Sequence, residues 1–96
     1  MFWKNHSFLF LDFGSLHLYN ISKLLGSKWK HLGASLNIDF SECESIAADN
    51  PHDNVYGAYT LLSTWRDRHS GSVAEKKTTL VKAVKNIGRM DLLPEI

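Results

Sequence analysis

The sequence has too few cysteines to form a disulfide and no apolar run long enough to span a membrane. Its 96 residues include one cysteine, Cys43, so a disulfide within the chain is impossible and a disulfide-stapled secreted scaffold is excluded. A membrane-spanning helix needs about 20 consecutive apolar residues, whereas the aromatic-rich run at residues 8–11 is interrupted by Asp12. We therefore expect a cytoplasmic protein with no membrane partner.

Neither sign of charge dominates. The chain carries 11 Lys and Arg against 10 Asp and Glu, a net charge of +1, and this gives no field that favours nucleic acid. Residues 1–60 hold 4 basic against 6 acidic side chains, and residues 61–96 hold 7 against 4. Opposite-sign surfaces on one small domain suit contact between copies or relatives, because complementary potentials steer association. Ordinary solvated surface charge is the alternative.

The sequence also lacks a constellation that would carry catalysis. Its five histidines, at positions 6, 17, 31, 52 and 69, do not share the spacing of three or four residues that builds a metal-binding helix face. It has no glycine-rich phosphate loop, Walker lysine or nucleophile elbow. We predict no catalytic residue, metal site, cofactor or small-molecule substrate, and so no enzyme.

What the chain does contain is helical periodicity. Apolar residues three and four apart form a stripe on one helix face and predict a first helix over residues 15–25. Further stripes of this kind predict four more helices and a short last turn over residues 90–93, and so an all-α chain. A chain of this length has room for one core. The predicted core consists of Leu18, Ile21, Leu25, Trp29, Leu32, Leu36, Cys43, Ile46, Leu62, Trp65, Leu80, Val84, Ile87 and Leu92, with Leu24 also on the first stripe.

Short motifs at the helix ends predict where each helix begins and stops. Glycine just past a helix can adopt the left-handed conformation, and a side-chain oxygen just before a helix can accept its free amides. Gly26 and Gly88 are predicted to end helices one and five. The predicted N-terminal caps are Ser27 for helix two, Ser41 with Glu44 for helix three, Asp53 for helix four, and Ser72 with Glu75 for helix five.

The two short helices on either side of Gly26 also resemble a helix-turn-helix, which would place its second helix in a major groove. That helix offers Lys28, Lys30 and His31. The helix that follows begins with acidic residues that would repel phosphate. The charges therefore argue against this alternative, and we expect no nucleic-acid partner.

Five short motifs follow one another in a fixed order. They are Leu25-Gly26 with Trp29 and Leu32, Cys43 with Ile46, Leu61-Leu62-x-x-Trp65, Leu80 with Ala83-Val84, and Gly88-Arg89-Met90-Asp91-Leu92. In combination they resemble the death-domain family. The segment from Asp49-Asn50-Pro51 to Leu61-Leu62 is similar to the death domains of ankyrins, and netrin-receptor domains are further possible relatives. The resemblance implies a six-helix antiparallel bundle with the Greek-key architecture of the death fold over residues 15–96, and leaves residues 1–14 unassigned.

Two glycines depart from the pattern. Gly33 stands where the family usually has alanine, and Gly57 lies inside helix four. Each would cost about 1 kcal/mol relative to alanine in an exposed helix interior. Alternatively, Gly33 allows close packing between helices, which a Gly33→Ala melting experiment would decide.

The resemblance implies an adaptor-like interaction module that signals, in apoptosis or innate immunity, by binding other death-fold domains, including copies of itself. A structural remnant of an ankyrin-like scaffold that recruits nothing is the alternative. The surface charges nearest the helix ends are the candidate contact residues. The acidic candidates are Asp39, Glu42, Glu44, Asp49 and Asp53, and the basic candidates are Arg66, Arg68, Lys76, Lys77 and Arg89.

Overall fold

The structure, a computed structural model, describes residues 14–96. The segment predicted as unassigned, residues 1–14, lies outside this range apart from Gly14. Residues 14–96 contain no strand, and their helices are α1 (Ser15–Leu25), α2 (Trp29–Ser35), α3 (Phe40–Asp49), α4 (Asn54–Arg68) and α5 (Val73–Asn86), with a 3-10 turn at Gly26–Lys28 and a C-terminal 3-10 helix at Met90–Glu95. The predicted all-α class is confirmed, and the 3-10 helix stands where a sixth helix was expected.

Most of the predicted helix ends are confirmed. Gly26 and Gly88 have φ values of 59° and 75°, the left-handed conformation that a β-carbon disfavours. After α5, Gly88 N donates to Lys85 O and Arg89 N donates to Val84 O, at 3.0 and 3.1 Å. This is the pair of hydrogen bonds that closes a helix through a left-handed glycine.

The N-terminal caps of α4 and α5 are also confirmed. Asp53 accepts a hydrogen bond from Tyr56 N at 2.9 Å. Ser72 and Glu75 form the predicted reciprocal pair, in which Ser72 N donates to Glu75 Oε1 at 2.8 Å and Glu75 N donates to Ser72 Oγ at 3.2 Å. Both helices therefore begin where their sequence motifs placed them.

Two predicted caps are wrong. Ser27 lies inside the 3-10 turn that separates α1 from α2, so α2 begins at Trp29 without a side-chain cap. Helix α3 begins at Phe40, one residue before Ser41, and Asp39 occupies its N-cap position without a side-chain hydrogen bond. Because Ser41 is inside the helix, it cannot form the predicted capping box with Glu44.

The core lies where α1 and α2 meet α4. Helix α4 packs along α1 and also contacts α2 and α3, while α5 packs against α2 and the C-terminal 3-10 helix. Trp29 and Trp65 are 2% and 4% exposed. The structure buries every predicted core residue except Ile87, which is partly buried at the edge of the core. Ile38, Ala58, Leu61 and Ala83 complete the buried set.

The inclusion of Leu24 in the first stripe is wrong, since its side chain is 46% exposed. The buried face of α1 instead consists of Leu18, Ile21, Ser22 and Leu25. These residues follow the three- and four-residue spacing of one helix face, and Leu24 lies to the side of it.

Both glycines that depart from the family pattern lie at close contacts between helices. A β-carbon at Gly33 would be 2.7 Å from Cys43 Sγ and 3.2 Å from Leu61 Cδ1, and one at Gly57 would be 3.0 Å from the ring of Trp29. Real β-carbons essentially never approach another side chain as closely as 2.7 Å. The glycines are thus sites of close helix approach and not weak points of exposed helices.

Candidate protein-interaction surface

Two of the charged candidates, one acidic and one basic, pair with each other. Arg68 Nη1 and Nη2 donate to Glu42 Oε1 and Oε2 at 2.8 and 2.5 Å, which joins the start of α3 to the end of α4. The Arg68 guanidinium holds the pKa of the Glu42 carboxyl below its usual range. The sequence had placed these residues on opposite patches, but the fold brings them into one ion pair.

Glu44 is also paired within the chain. Lys30 Nζ of α2 donates to Glu44 Oε2 of α3 at 3.2 Å, and both side chains are nearly half exposed. An exposed lysine–carboxylate pair of this kind contributes little to stability. Glu44 therefore stays accessible to a partner, although its charge is partly offset by Lys30.

The other three acidic candidates are exposed. Asp39 precedes α3 and Asp49 is its last residue. Asp53 caps α4 through one carboxylate oxygen. No lysine or arginine within residues 14–96 forms an ion pair with Asp39, Asp49 or Asp53. The α3–α4 corner thus carries two exposed carboxylates, Asp49 and Asp53, that form no ion pair within residues 14–96.

Lys76 does not belong to the surface, and its assignment to a contact patch is wrong. Its side chain is 8% exposed, because it lies four residues before Leu80 on the inward face of α5. The aliphatic stem of a lysine can cover apolar surface in such a position. The sequence analysis had assigned Lys76 to the surface because it is charged, without considering that it shares a helix face with Leu80.

Arg66 and Arg89 are tied to the fold. Arg66 Nε donates to Asp67 Oδ1 at 3.0 Å, and its side chain is 17% exposed. Arg89 Nη1 and Nη2 donate to the carbonyls of Leu25 and Leu24 at 3.2 and 2.7 Å. Arg89 therefore caps the C-terminus of α1, where a positive charge is also favoured by the helix dipole.

The exposed cations of α5 are a feature that sequence reasoning largely missed. Lys77 was a candidate, but Lys82 and Lys85 were not, and all three are exposed. Lys82 and Lys85 can be identified by helical position, because Leu80, Ala83 and Val84 define the buried face of α5 and these two lysines fall on the other side. The outer face of α5 is therefore basic.

Large apolar side chains are exposed as well. Phe40, at the start of α3, is 78% exposed, and Leu16, Tyr56 and Met90 are 72%, 53% and 54% exposed. Aromatic residues of this kind are enriched at protein interfaces. Sequence reasoning treated apolar residues as core and so did not propose these positions.

Tyrosines form a cluster along α1 and α4. The ring of Tyr59 meets that of Tyr19 edge to face at a centroid distance of 6.2 Å and that of Tyr56 at 5.8 Å. Lys23 Nζ lies 5.4 Å from the centroid of Tyr19. The α1–α4 side of the domain thus presents an aromatic surface beside the Lys23 ammonium group.

The groups that most often carry chemistry have structural roles here. Burial raises the pKa of the Cys43 thiol, and its side chain is 3% exposed. His69 Nδ1 accepts a hydrogen bond from Gly71 N at 3.0 Å, and Nε2 lies 3.2 Å from Thr79 Oγ1. Both nitrogens of His69 therefore hold the turn between α4 and α5.

Metal-binding clusters and membrane-spanning helices are both absent from the described part of the chain. Residues 14–96 contain no group of three or more His, Cys, Asp or Glu side chains arranged to hold a metal ion. None of the helices in that range has both the length and the apolar character needed to cross a bilayer.

Comparison with known proteins identifies the family. The family model described as Death domain matches residues 15–96, which include the five α-helices and the C-terminal 3-10 helix described for residues 14–96. No curated protein matches the chain. Death domains are protein–protein interaction modules that bind other death-fold domains. With the matched segment covering most of its length and the expected all-α fold, the chain belongs to the death domain family.

Proposed function

We propose that this domain is a signalling module that associates with other death-fold domains, including copies of itself, in the cytoplasm. The observation that carries the proposal is the family match over residues 15–96. An adaptor role in apoptotic or innate-immune signalling is the form of this function that we expect, and no catalytic step is part of it.

The surface of the domain supports this function. Carboxylates without an ion pair within residues 14–96 lie at Asp39, Asp49 and Asp53, whereas three exposed lysines lie on α5. Surfaces of opposite charge on separate elements steer two molecules into a defined orientation. Exposed Phe40 adds an apolar group beside the acidic start of α3, and a buried aromatic anchor commonly supplies much of an interface's affinity.

The function is tested by measuring the molar mass of the purified domain across concentration and salt. We expect light scattering to show a mass that rises with protein concentration and falls with ionic strength, because exposed charges are screened by salt. Binding to a second death-fold domain in a pull-down would also support the proposal. A domain that remains monomeric under all conditions and binds no death-fold partner would favour the structural remnant instead.

The acidic candidates on α3 need a test that separates contact with a partner from contact within the chain. Reversing Glu42 and Glu44 to Lys is expected to abolish association, but it also breaks the ion pairs with Arg68 and Lys30. The matched control adds Arg68→Glu and Lys30→Glu, which restores both pairs with inverted polarity.

If the two carboxylates contact a partner, both variants lose association while circular dichroism shows unchanged helicity. Recovery of association in the four-residue variant would assign Glu42 and Glu44 to the integrity of the domain, and would remove them from the interface.

A further inference from the structure

The outer face of α5 is a concentrated basic surface. Lys77, Lys82 and Lys85 span an arc of about 140° around the helix, in which Lys82 and Lys85 lie opposite the core residues and Lys77 lies at the edge of the core face, and all three are exposed. Lys77 and Lys85 are separated by about 12 Å along the helix axis. The one carboxylate of α5, Glu75, is engaged in the capping box with Ser72.

These lysines differ from most of the other cations of the described chain, Lys23 and Lys28 of the α1–α2 region being the exceptions. Lys30, Arg66, Arg68 and Arg89 each form an ion pair with a carboxylate, and Lys76 is buried. The three α5 lysines form no ion pair within residues 14–96. Their mutual repulsion is therefore not relieved inside the domain.

The surface of opposite charge is the α3–α4 corner. Asp49 ends α3, and that helix has no basic residue in its last turn. A carboxylate at a helix C-terminus adds to the negative end of the helix dipole, which is the less favourable placement. Asp53 follows four residues later and is exposed. A cation from a second molecule would therefore relieve the unfavourable charge of Asp49, and it would also meet the Asp53 carboxylate, which caps α4 through one oxygen.

The corner and the α5 face do not neutralise each other within one molecule. Helix α3 packs against α2 and α4, whereas α5 packs against α2 and the C-terminal 3-10 helix. Each molecule therefore presents one basic and one acidic surface at the same time. A second copy of the chain carries the complement of both.

We propose that the α5 lysine face of one molecule docks on the Asp49–Asp53 corner of a second copy. The inference rests on the proposed function and adds to it which surfaces meet and with which partner. Because the two surfaces are different, the contact is heterologous, and each added copy leaves one basic and one acidic surface free. Association through this contact alone then gives an open chain of molecules.

The test uses two variants of the full chain. The first is Lys82→Glu with Lys85→Glu, which reverses the basic face. The second is Asp49→Lys with Asp53→Asn, which reverses the corner while asparagine keeps a capping oxygen before α4. Lys28→Glu is the matched control, because Lys28 is an exposed lysine on the 3-10 turn that also lacks an ion pair within residues 14–96.

We expect wild type and Lys28→Glu to form concentration-dependent oligomers in sedimentation velocity. Each reversed variant alone is expected to be monomeric, with self-association weakened about tenfold or more, which corresponds to about 1.4 kcal/mol. An equimolar mixture of the two variants is expected to associate again, because the intact basic face of one variant meets the intact corner of the other, and the face made acidic by Lys82→Glu and Lys85→Glu meets the corner made basic by Asp49→Lys.

Three results would overturn the inference. These are oligomers of undiminished affinity in either variant, a mixture that stays monomeric, and wild-type protein that does not self-associate. The first two leave the proposed function standing, because wild type still associates through another surface. The third is separated from failure of the proposed function by the pull-down, which measures binding to a different death-fold domain.

Discussion

The junction of α2 with α4 and the charged surface around α3 and α5 are held together by different kinds of contact. At the junction, Gly57 lies against the ring of Trp29, and Gly33 lies against Cys43 and Leu61. On the surface, Arg68 and Glu42 form an ion pair between side chains that are 59% and 30% exposed. The close contacts at the junction allow one packing arrangement, whereas a surface charge can exchange its ion pair within the domain for one with a partner protein. A domain that binds its relatives needs both properties, because a rigid interior keeps the exchangeable charges in register.

The largest expected effect tests the interior. Trp65→Ala should lower the free energy of unfolding by about 3 to 5 kcal/mol, because it leaves a cavity where a side chain 4% exposed now lies. A loss of this size unfolds a domain of ordinary stability to a large extent.

Urea denaturation measures the effect of Trp65→Ala. Trp65→Phe, which keeps most of the packing, should retain a cooperative transition. In contrast, Lys82→Ala on the surface should change stability by about 0.5 kcal/mol or less. Equal losses at Trp65 and Lys82 would contradict the division between the two regions.

The interior was the more predictable of the two regions. Trp29, Leu62 and Leu80 each belong to a set of apolar residues at helical spacing within one helix, and the removal of such side chains from water is the main driving force of folding. For that reason their burial follows from local sequence alone. Leu24 departs from this rule because it neighbours Leu25, and the spacing of the stripe leaves room on the buried face for only one of the two.

The surface was less predictable, because a charge can be satisfied by several partners. Sequence placed Glu42 near the start of α3 but could not indicate that Arg68, 26 residues away, would reach it. Nor could it indicate that Arg89 would reach the carbonyls of α1, 64 and 65 residues away. Such contacts depend on how helices are placed relative to one another. Lys76 and Lys82 are the exception, since their helical positions relative to Leu80 separate a buried lysine from an exposed one.

A second prediction sharpens the comparison within the interior. Gly33→Ala should destabilise the domain, because overpacking costs about 1 to 3 kcal/mol and the gain in helix propensity of about 1 kcal/mol offsets only part of it. The contact at 2.7 Å from Cys43 Sγ is the cause.

The matched test is the double variant Gly33→Ala with Cys43→Ala, in which the sulfur atom is removed. Its loss of stability should be smaller than the sum of the two single losses, as measured by thermal melting in a double-mutant cycle. A higher melting temperature for Gly33→Ala alone would show that the alanine of other family members fits here as well.

A third prediction concerns a residue that belongs to both regions. Arg89→Gln should lower the free energy of unfolding by about 1 to 2 kcal/mol, since it removes hydrogen bonds from a charged donor to the carbonyls of Leu24 and Leu25. The control is Asp91→Asn, which weakens the ion pair with Arg89 but leaves both carbonyl contacts in place. If Asp91→Asn and Arg89→Gln cost the same in urea denaturation, the ion pair and not the cap of α1 would be what Arg89 contributes.

The smallest expected effect is the response of stability to acid. The pKa of Glu42 is lowered by its hydrogen bonds from Arg68, the pKa of Glu75 by Ser72 N, and the pKa of Asp91 by Arg89. Each carboxylate binds a proton less readily in the folded state than in the unfolded state. Its contribution is therefore complete above the unfolded pKa, about 4, and is lost as the pH falls through the lower folded value.

We expect the free energy of unfolding to be constant from pH 7 to about 5 and to decline below that, by a small amount because these charges are exposed and screened. Glu75→Gln should reduce the slope of the decline, since glutamine keeps an acceptor for Ser72 N but does not titrate. Urea denaturation at a series of pH values measures both slopes. If the two slopes were identical, the capping box of α5 would stabilise the helix through its hydrogen bonds and not through the charge of Glu75. The exposed charges would then contribute even less to the free energy of unfolding than their ion pairs imply.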